Sequence, residues 1–264
     1  MDLGLKDKTV LVTGSTAGIG LAIATRLACE GANVVINGRS EARVAKAIQD
    51  IRASGATGEV RGIAADLGKR AGIDILTDAV PSVDVLVNNL GIFEPKAFEE
   101  ISDDDWLRFF EVNVLSGVRL SRHYLAGMRQ RNWGRIVFIS SESAVNIPAE
   151  MIHYGVTKTS QLAVARGLAE TLVGTQVTVN SILPGPTKSE GVATFVEDLA
   201  KEKGQSAQDV EKEFFRSMRP SSLLQRFERP DEIAAMVAYV CSTAASGTNG
   251  AALRVDGGVV RSIL

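Results

Sequence analysis

Short runs of β-branched and aliphatic residues alternate along the chain with longer stretches of helical periodicity. The runs are TVLVT (9–13), VVIN (34–37), VRGIAA (60–65), VDVLVNN (83–89), RIVFIS (135–140), VTVNSIL (177–183) and ALRVD (252–256). Most lack polar alternation, the pattern of parallel strands covered by helices on both faces. Between them the periodicity predicts helices starting near Ile19, Glu41, Lys69, Asp103, Ile152 and Pro230, with long apolar helices over 103–130 and 152–173. Local chemistry supports these starts. Ser40 is placed to cap the helix from Glu41, Ser102 with Asp105 forms a shortened capping box, and Pro230 suits a first turn. Seven strands with intervening helices predict an α/β fold, a single doubly wound parallel sheet with right-handed crossovers.

One segment departs from this rhythm. Between Pro184 and Pro230 no strand is predicted, and two charged helical patterns, FVEDLAKEK and AQDVEKEFFRSM, are separated by Gly204. A long excursion at the carboxyl end of a strand is where such sheets carry a lid, expected here over residues 188–222. Phe195, Phe214, Phe215 and Met218 would give it an apolar face to fold down.

Composition narrows the picture. A chain of 264 residues, 45% of them hydrophobic, can bury one substantial core. The net charge of −2 is spread over interleaved acids and bases, so there is no electrostatic footprint for nucleic acid or an anionic membrane. No apolar run approaches the roughly 18 residues of a membrane span, and MDLGLKDKTV has no export-signal pattern, so a cytoplasmic protein is expected. Cys29 and Cys241 lie in apolar helical patterns and are expected to be buried, reduced thiols. No His, Cys, Asp or Glu spacing resembles a metal site.

Two constellations carry candidate chemistry. The first strand runs into TGSTAGIG, where Thr13, Gly14, Ser15, Thr16, Gly18, Ile19 and Gly20 form a glycine-rich turn that opens a helix. Such a turn brings backbone close to phosphates, and the helix start offers amide donors. The second is HYGVTK, where Tyr154 and Lys158, four apart, share one helix face. A nearby ammonium is expected to lower the tyrosine pKa from about 10. Ser141, at the carboxyl end of a strand, could donate to the same oxygen that Tyr154 addresses.

With these motifs in family order, the chain resembles the short-chain dehydrogenase/reductases over essentially its whole length. TGSTAGIG is followed by Asp66, NNLG (88–91), Asn113, Ser141, YGVTK and PGPT (184–187). The likeness is strongest to the 3-oxoacyl-[acyl-carrier-protein] reductase branch. It implies a Rossmann-like sheet, a homotetramer, and hydride transfer between a nicotinamide cofactor and a carbonyl or secondary alcohol. By that resemblance Tyr154 is the proton donor or acceptor, and Lys158 holds the ribose and lowers the tyrosine pKa. Ser141 stabilises the carbonyl oxygen, and Asn113 positions a water for proton relay. Asp66 and Leu67 would meet the adenine, Asn89 and Gly91 the adenine-side ribose region, and Pro184, Gly185 and Thr187 the nicotinamide or a phosphate. Leu90 departs from the family's small residue there and needs neighbours that make room.

Phe93, Ser143, Ile147, Met151 and Phe195 are expected to line the substrate pocket. His153 reads as a packing residue. Glu142 reads as a solvated or structural carboxylate, with contact to a polar substrate as the alternative. NAD(H) chemistry on a sugar or polyol, and a catalytically silent nucleotide-binding regulator, are the rival readings. The residues at the second strand's tip favour NADP(H) over NAD(H). An acid there would bind the free ribose hydroxyls of NAD, whereas this chain has Asn37, Gly38, Arg39 and Ser40. Arg39 and Ser40 are suited to a 2′-phosphate.

Overall fold

A computed structural model describes residues 2–263, with residues 191 and 195 described in their backbone only. The seven expected strands are β1 (Thr9–Val12), β2 (Asn33–Gly38), β3 (Val60–Ala64), β4 (Val85–Asn88), β5 (Gly134–Ile139), β6 (Val177–Pro184) and β7 (Ala252–Val255). They form one parallel sheet in the order β3-β2-β1-β4-β5-β6-β7. Successive residues feed two different cores. Val10, Val12, Val34 and Ile36 enter the one on one face, and Leu11, Val35 and Leu86 the one on the other. That two-sided burial is why the runs show no polar alternation.

The helices are α1 (Gly18–Cys29), α2 (Glu41–Ala53), α3 (Arg70–Ala79), α4 (Asp103–Phe110), α5 (Ser116–Gln130), α6 (Ile152–Glu170), α7 (Glu190–Lys203), α8 (Ala207–Ser217) and α9 (Pro230–Cys241). Ser102 and Asp105 do form a reciprocal capping box at α4. Other local expectations change. Ser40 precedes α2 in extended conformation but makes no side-chain cap. The helix expected over 103–130 is broken by a π-helical turn at Glu111–Leu115, and the one expected to reach 173 ends at Glu170. Cys241 is buried, and burial pushes its thiol up to about 12, but Cys29 is exposed on the last turn of α1. The apolar pattern around Cys29 belongs to Ile23, Ala24, Leu27 and Ala28, which face the core.

The excursion after β6 builds its own small core. Val196, Ala200, Val210, Phe215 and Phe227 are buried together, with Phe214 packed against them. The rings of Phe214, Phe215 and Phe227 lie 5.0–5.1 Å apart. Phe214 and Phe215 therefore do not form an apolar face turned toward the sheet, and Met218 is exposed. The side chain of Phe195 lies outside the described residues.

The order of strands reverses between β1 and β4, so their carboxyl ends diverge and open a crevice there.

Candidate active site

The turn after β1 is held by side chains that work on the protein itself. Ser15 is fully buried; its hydroxyl donates to the Val12 carbonyl (2.6 Å) and accepts from the Asn37 amide (2.9 Å). Thr13 Oγ1 accepts from the amides of Asn89 and Leu90, both at 2.9 Å. Asn89 Nδ2 donates back to the carbonyls of Thr13 (2.9 Å) and Gly14 (3.0 Å). A side chain at Gly20 would lie 2.4 Å from Asn89 Nδ2 and 2.5 Å from the Gly14 oxygen, so the helix can start this close to the loop only with glycine there. Gly14 and Gly18 both have positive φ, 58° and 56°. The Ser15 hydroxyl and the Asn89 side-chain amide thus hold the turn in shape, and Asn89 also lines the cleft described below. What the turn offers outward is main chain, and the first turn of α1 has no side-chain cap on its amides.

At the tip of β2, Asn37 joins three segments. Its Nδ2 donates to the carbonyls of Ile63 and Ala65, both at 3.1 Å, and its Oδ1 accepts from the Gly14 amide at 3.3 Å. Thr16 packs near Gly38. Arg39 and Ser40 are exposed, and neither side chain has a hydrogen-bond or ion-pair partner among the described residues. Asp66 is half-buried, accepting from the Gly68 amide at 3.2 Å, while Leu67 is buried in the core.

Beyond β5, the chain passes Ser140 and Ser141 into a 3-10 turn at Glu142–Ala144 that lies against α6. Gly155 permits this: a Cβ there would sit 2.9 Å from Ile147 and 3.2 Å from the Ser143 carbonyl oxygen. Ser140 Oγ donates to the Lys158 carbonyl (2.9 Å) and Thr159 Oγ1 to that of Ala144 (2.8 Å), so Ser141 is fixed relative to Tyr154 and Lys158. Ser141 Oγ accepts from the Ser143 amide at 3.1 Å.

Burial pushes the Tyr154 phenol up to about 12, and the Ser141 hydrogen bond and the Arg219 charge oppose it. Burial also pulls Lys158 down to about 7. Desolvation is the largest influence on both groups. Lys158 Nζ lies 5.6 Å from the Tyr154 ring centre and donates to the Ile139 carbonyl (2.9 Å) and to Gln161 Oε1 (3.3 Å).

Asn113 sits in the π turn. Its side chain is fully engaged, accepting from the Ile92 amide (2.8 Å) and donating to the Ile92 carbonyl (3.0 Å) and Thr157 Oγ1 (2.9 Å). Its carbonyl accepts from Gln161 Nε2 at 2.6 Å. Gln161 therefore links Lys158 to Asn113. It was not anticipated, although three residues after Lys158 on a helix is a position that faces the same way.

These elements border a cleft of about 200 Å3. Ile19, Asn89, Gly91, Phe93, Ser141, Tyr154, Lys158, Pro184, Gly185 and Thr187 line it, as do Ser189 and Val192 at the start of α7. Of the expected substrate residues whose side chains are described, Phe93 is on this wall. Ser143 is buried against Glu142 (3.2 Å), Ile147 is largely exposed, and Met151 is half-buried. His153 is buried against the Phe109 ring, their centres 4.0 Å apart, as expected of a packing residue. Glu142 is buried and ion-paired to Arg219, so the solvated reading of it is wrong. No group of three or more potential metal ligands occurs among the described residues, and no helix there is long and apolar enough to cross a membrane.

The family model for short chain dehydrogenases matches residues 8–200. The chain belongs to the short-chain dehydrogenase/reductase family. As a member it is an oxidoreductase with an NAD(P)-binding fold. It is 50% identical to the Bacillus subtilis oxidoreductase YvaG over the full length of both chains. It is 35% identical to the D-beta-hydroxybutyrate dehydrogenase of Cupriavidus necator, over 97% of this chain and 99% of that one. Among solved structures, L-sorbose reductase from Gluconobacter frateurii, complexed with NADPH and L-sorbose, superposes with a TM-score of 0.93 at 30% identity, covering all of both chains. Within this family framework the unusual Leu90 is accommodated by packing against the core on the α5 side of the sheet.

Proposed function

We propose that this short-chain dehydrogenase/reductase reduces a small carbonyl compound with NADPH, and that Tyr154 delivers the proton. The observation that carries the reading is the convergence of Ser141, Tyr154 and Lys158 on one cleft that Ile19, from the end of the glycine-rich turn, also lines. The residues fit a dinucleotide. The main chain of 14–20 and the uncapped amides of α1 suit the pyrophosphate, and Lys158 suits ribose hydroxyls. Arg39 and Ser40, unengaged and without a neighbouring acid on the β2 tip, suit a 2′-phosphate. When bound, the nicotinamide supplies the hydride for the carbonyl carbon.

Tyr154, held protonated by burial, gives its proton to the carbonyl oxygen as charge develops there. Ser141 donates a hydrogen bond to that same oxygen. Lys158, brought near neutrality, exchanges protons at pH 7 and is held through Gln161 to the Asn113 carbonyl. The NADPH complex of the sorbose reductase and the hydroxybutyrate dehydrogenase relative support a hydroxy or keto substrate. The reading is tested with purified protein, NADPH and a panel of L-sorbose, acetoacetate, acetoacetyl thioester and simple aldehydes, followed by loss of NADPH absorbance. NADPH binding without turnover across that panel would favour the catalytically silent regulator.

Ser141→Ala is expected to lower kcat about 100-fold, the scale of one oxyanion donor, with little change in NADPH affinity. Steady-state kinetics with the best substrate of the panel check it. A loss below about threefold would remove Ser141 from the reacting oxygen.

The exposed apolar residues Leu107 and Phe110 on α4 and Val156 on α6 suit a closed homo-oligomer, a dimer or a tetramer of D2 symmetry. Light scattering at micromolar concentration should give a multiple of 28.1 kDa, and a monomer mass would overturn this assembly.

A further inference from the structure

Arg219 lies two residues beyond the end of α8, far from Ser141 in sequence, yet its side chain is only 9% exposed. Nε donates to Glu142 Oε1 at 3.0 Å, and Nη1 donates to Glu150 Oε1 at 3.3 Å and to the Met218 carbonyl at 2.8 Å. Glu142 is 4% exposed in its side chain and immediately follows Ser141. The same Oε1 that Arg219 holds accepts from Ser143 Oγ at 3.2 Å, and the Ser143 amide donates to Ser141 Oγ at 3.1 Å. A continuous chain of contacts thus runs from the excursion after β6 to the hydroxyl of Ser141. We propose that Arg219 is a positioning residue: through Glu142 and Ser143 it sets the Ser141 hydroxyl against the reacting oxygen.

Three features support a positioning role over simple packing. A buried carboxylate is tolerated only with a partner, and Arg219 is the cation that Glu142 has. The Glu142–Ala144 turn is a single 3-10 turn that Thr159 anchors at Ala144 and Arg219 anchors at Glu142. The two charges also act in opposite senses on the Tyr154 phenol, Glu142 raising its pKa and Arg219 lowering it. The other charged group with a large hold on the pair is Glu150, on the 3-10 turn before α6, and Asp256 after β7 adds a repulsive contribution at Glu142. Arg219 does not line the cleft, so a direct contact with substrate is not part of the role.

The inference rests on Ser141 being the donor proposed above, and a double-mutant cycle on kcat separates the two. Ser141→Ala, Arg219→Gln and the combined variant are compared, using the panel carbonyl that wild type turns over fastest. Arg219→Gln alone is expected to lower kcat 10- to 50-fold with KM and NADPH Kd within about twofold. In the Ser141→Ala background the same change should lower kcat less than about twofold, because the group it positions is gone. The doubly neutral Glu142→Gln/Arg219→Gln variant avoids a stranded buried charge and secures a folded protein, confirmed by its Tm. Arg219→Lys should recover part of the lost rate. Hydrogen exchange at the Ser143 amide should accelerate in Arg219→Gln, a readout independent of turnover. Fully multiplicative losses in the cycle, a raised KM at unchanged kcat, or an unchanged Ser143 exchange rate would each overturn the inference. If Ser141→Ala itself loses no activity, it is the functional reading that falls.

Discussion

Replacing Tyr154 with phenylalanine is expected to lower kcat about a thousandfold while leaving NADPH binding within about twofold of wild type. The phenol lines the cleft together with Ser141 and Lys158, whose Nζ lies 5.6 Å from the ring centre. The ring itself stays, and so does its edge-on packing with Phe93, whose centre is 6.4 Å away. The variant removes chemistry and little else. Retention of more than about a tenth of kcat, a loss under ~1.4 kcal/mol, would assign the proton to another group. The raised phenol pKa gives the sign of the pH dependence. Reduction needs the protonated form, which persists far above neutrality, so this group costs the reductive rate nothing between about pH 6 and 9. Oxidation needs the phenolate, so its rate should climb with pH throughout that interval. Initial rates in both directions across the interval test the two limbs separately.

Arg39→Asp is expected to reverse cofactor preference, cutting kcat/KM with NADPH about 100-fold or more and improving it with NADH. A guanidinium meets a phosphate with two parallel charge-assisted hydrogen bonds, and an aspartate at the same place repels the phosphate while accepting from ribose hydroxyls. Among the described residues nothing competes for Arg39, and Asn37 beside it faces inward to β3 and the glycine turn. The substitution therefore changes a surface charge without touching the fold. The measurement is kcat/KM for both cofactors in both proteins. A wild type that uses NADH as well as NADPH would show that Arg39 is an ordinary surface residue.

The strands and helix starts were legible because their signals are local. Two-sided burial removes polar alternation from a run of five or six residues, and a capping serine sits three positions from its partner. What escaped was set by distant contacts. Glu142 looks like a surface acid because the cation that allows its burial is 77 residues away. Asn37 reads as one polar residue in a strand tip, and only the sheet register puts Ile63, Ala65 and Gly14 around it. Cys29 misled for the opposite reason, since it shares a helix with buried neighbours but points off their stripe. The π turn at Glu111–Leu115 has no compositional mark, yet it rephases the helix so that Phe109 and Leu120 both reach the interior while Asn113 faces Lys158's helix. Charge proximity between Lys158 and Tyr154 can be read from spacing, whereas the burial that raises one pKa and lowers the other cannot.

The excursion after β6 carries a hydrophobic centre of its own, apart from the two that flank the sheet. Structure that is stabilised separately can loosen, or drift in sequence, without lowering the cooperativity of the remainder. Loosening of α7 and α8 then leaves the cores on the two faces of the sheet intact. Such a division lets the excursion drift in sequence while the sheet beneath it keeps its packing, with the Arg219–Glu142 ion pair as a contact between the two.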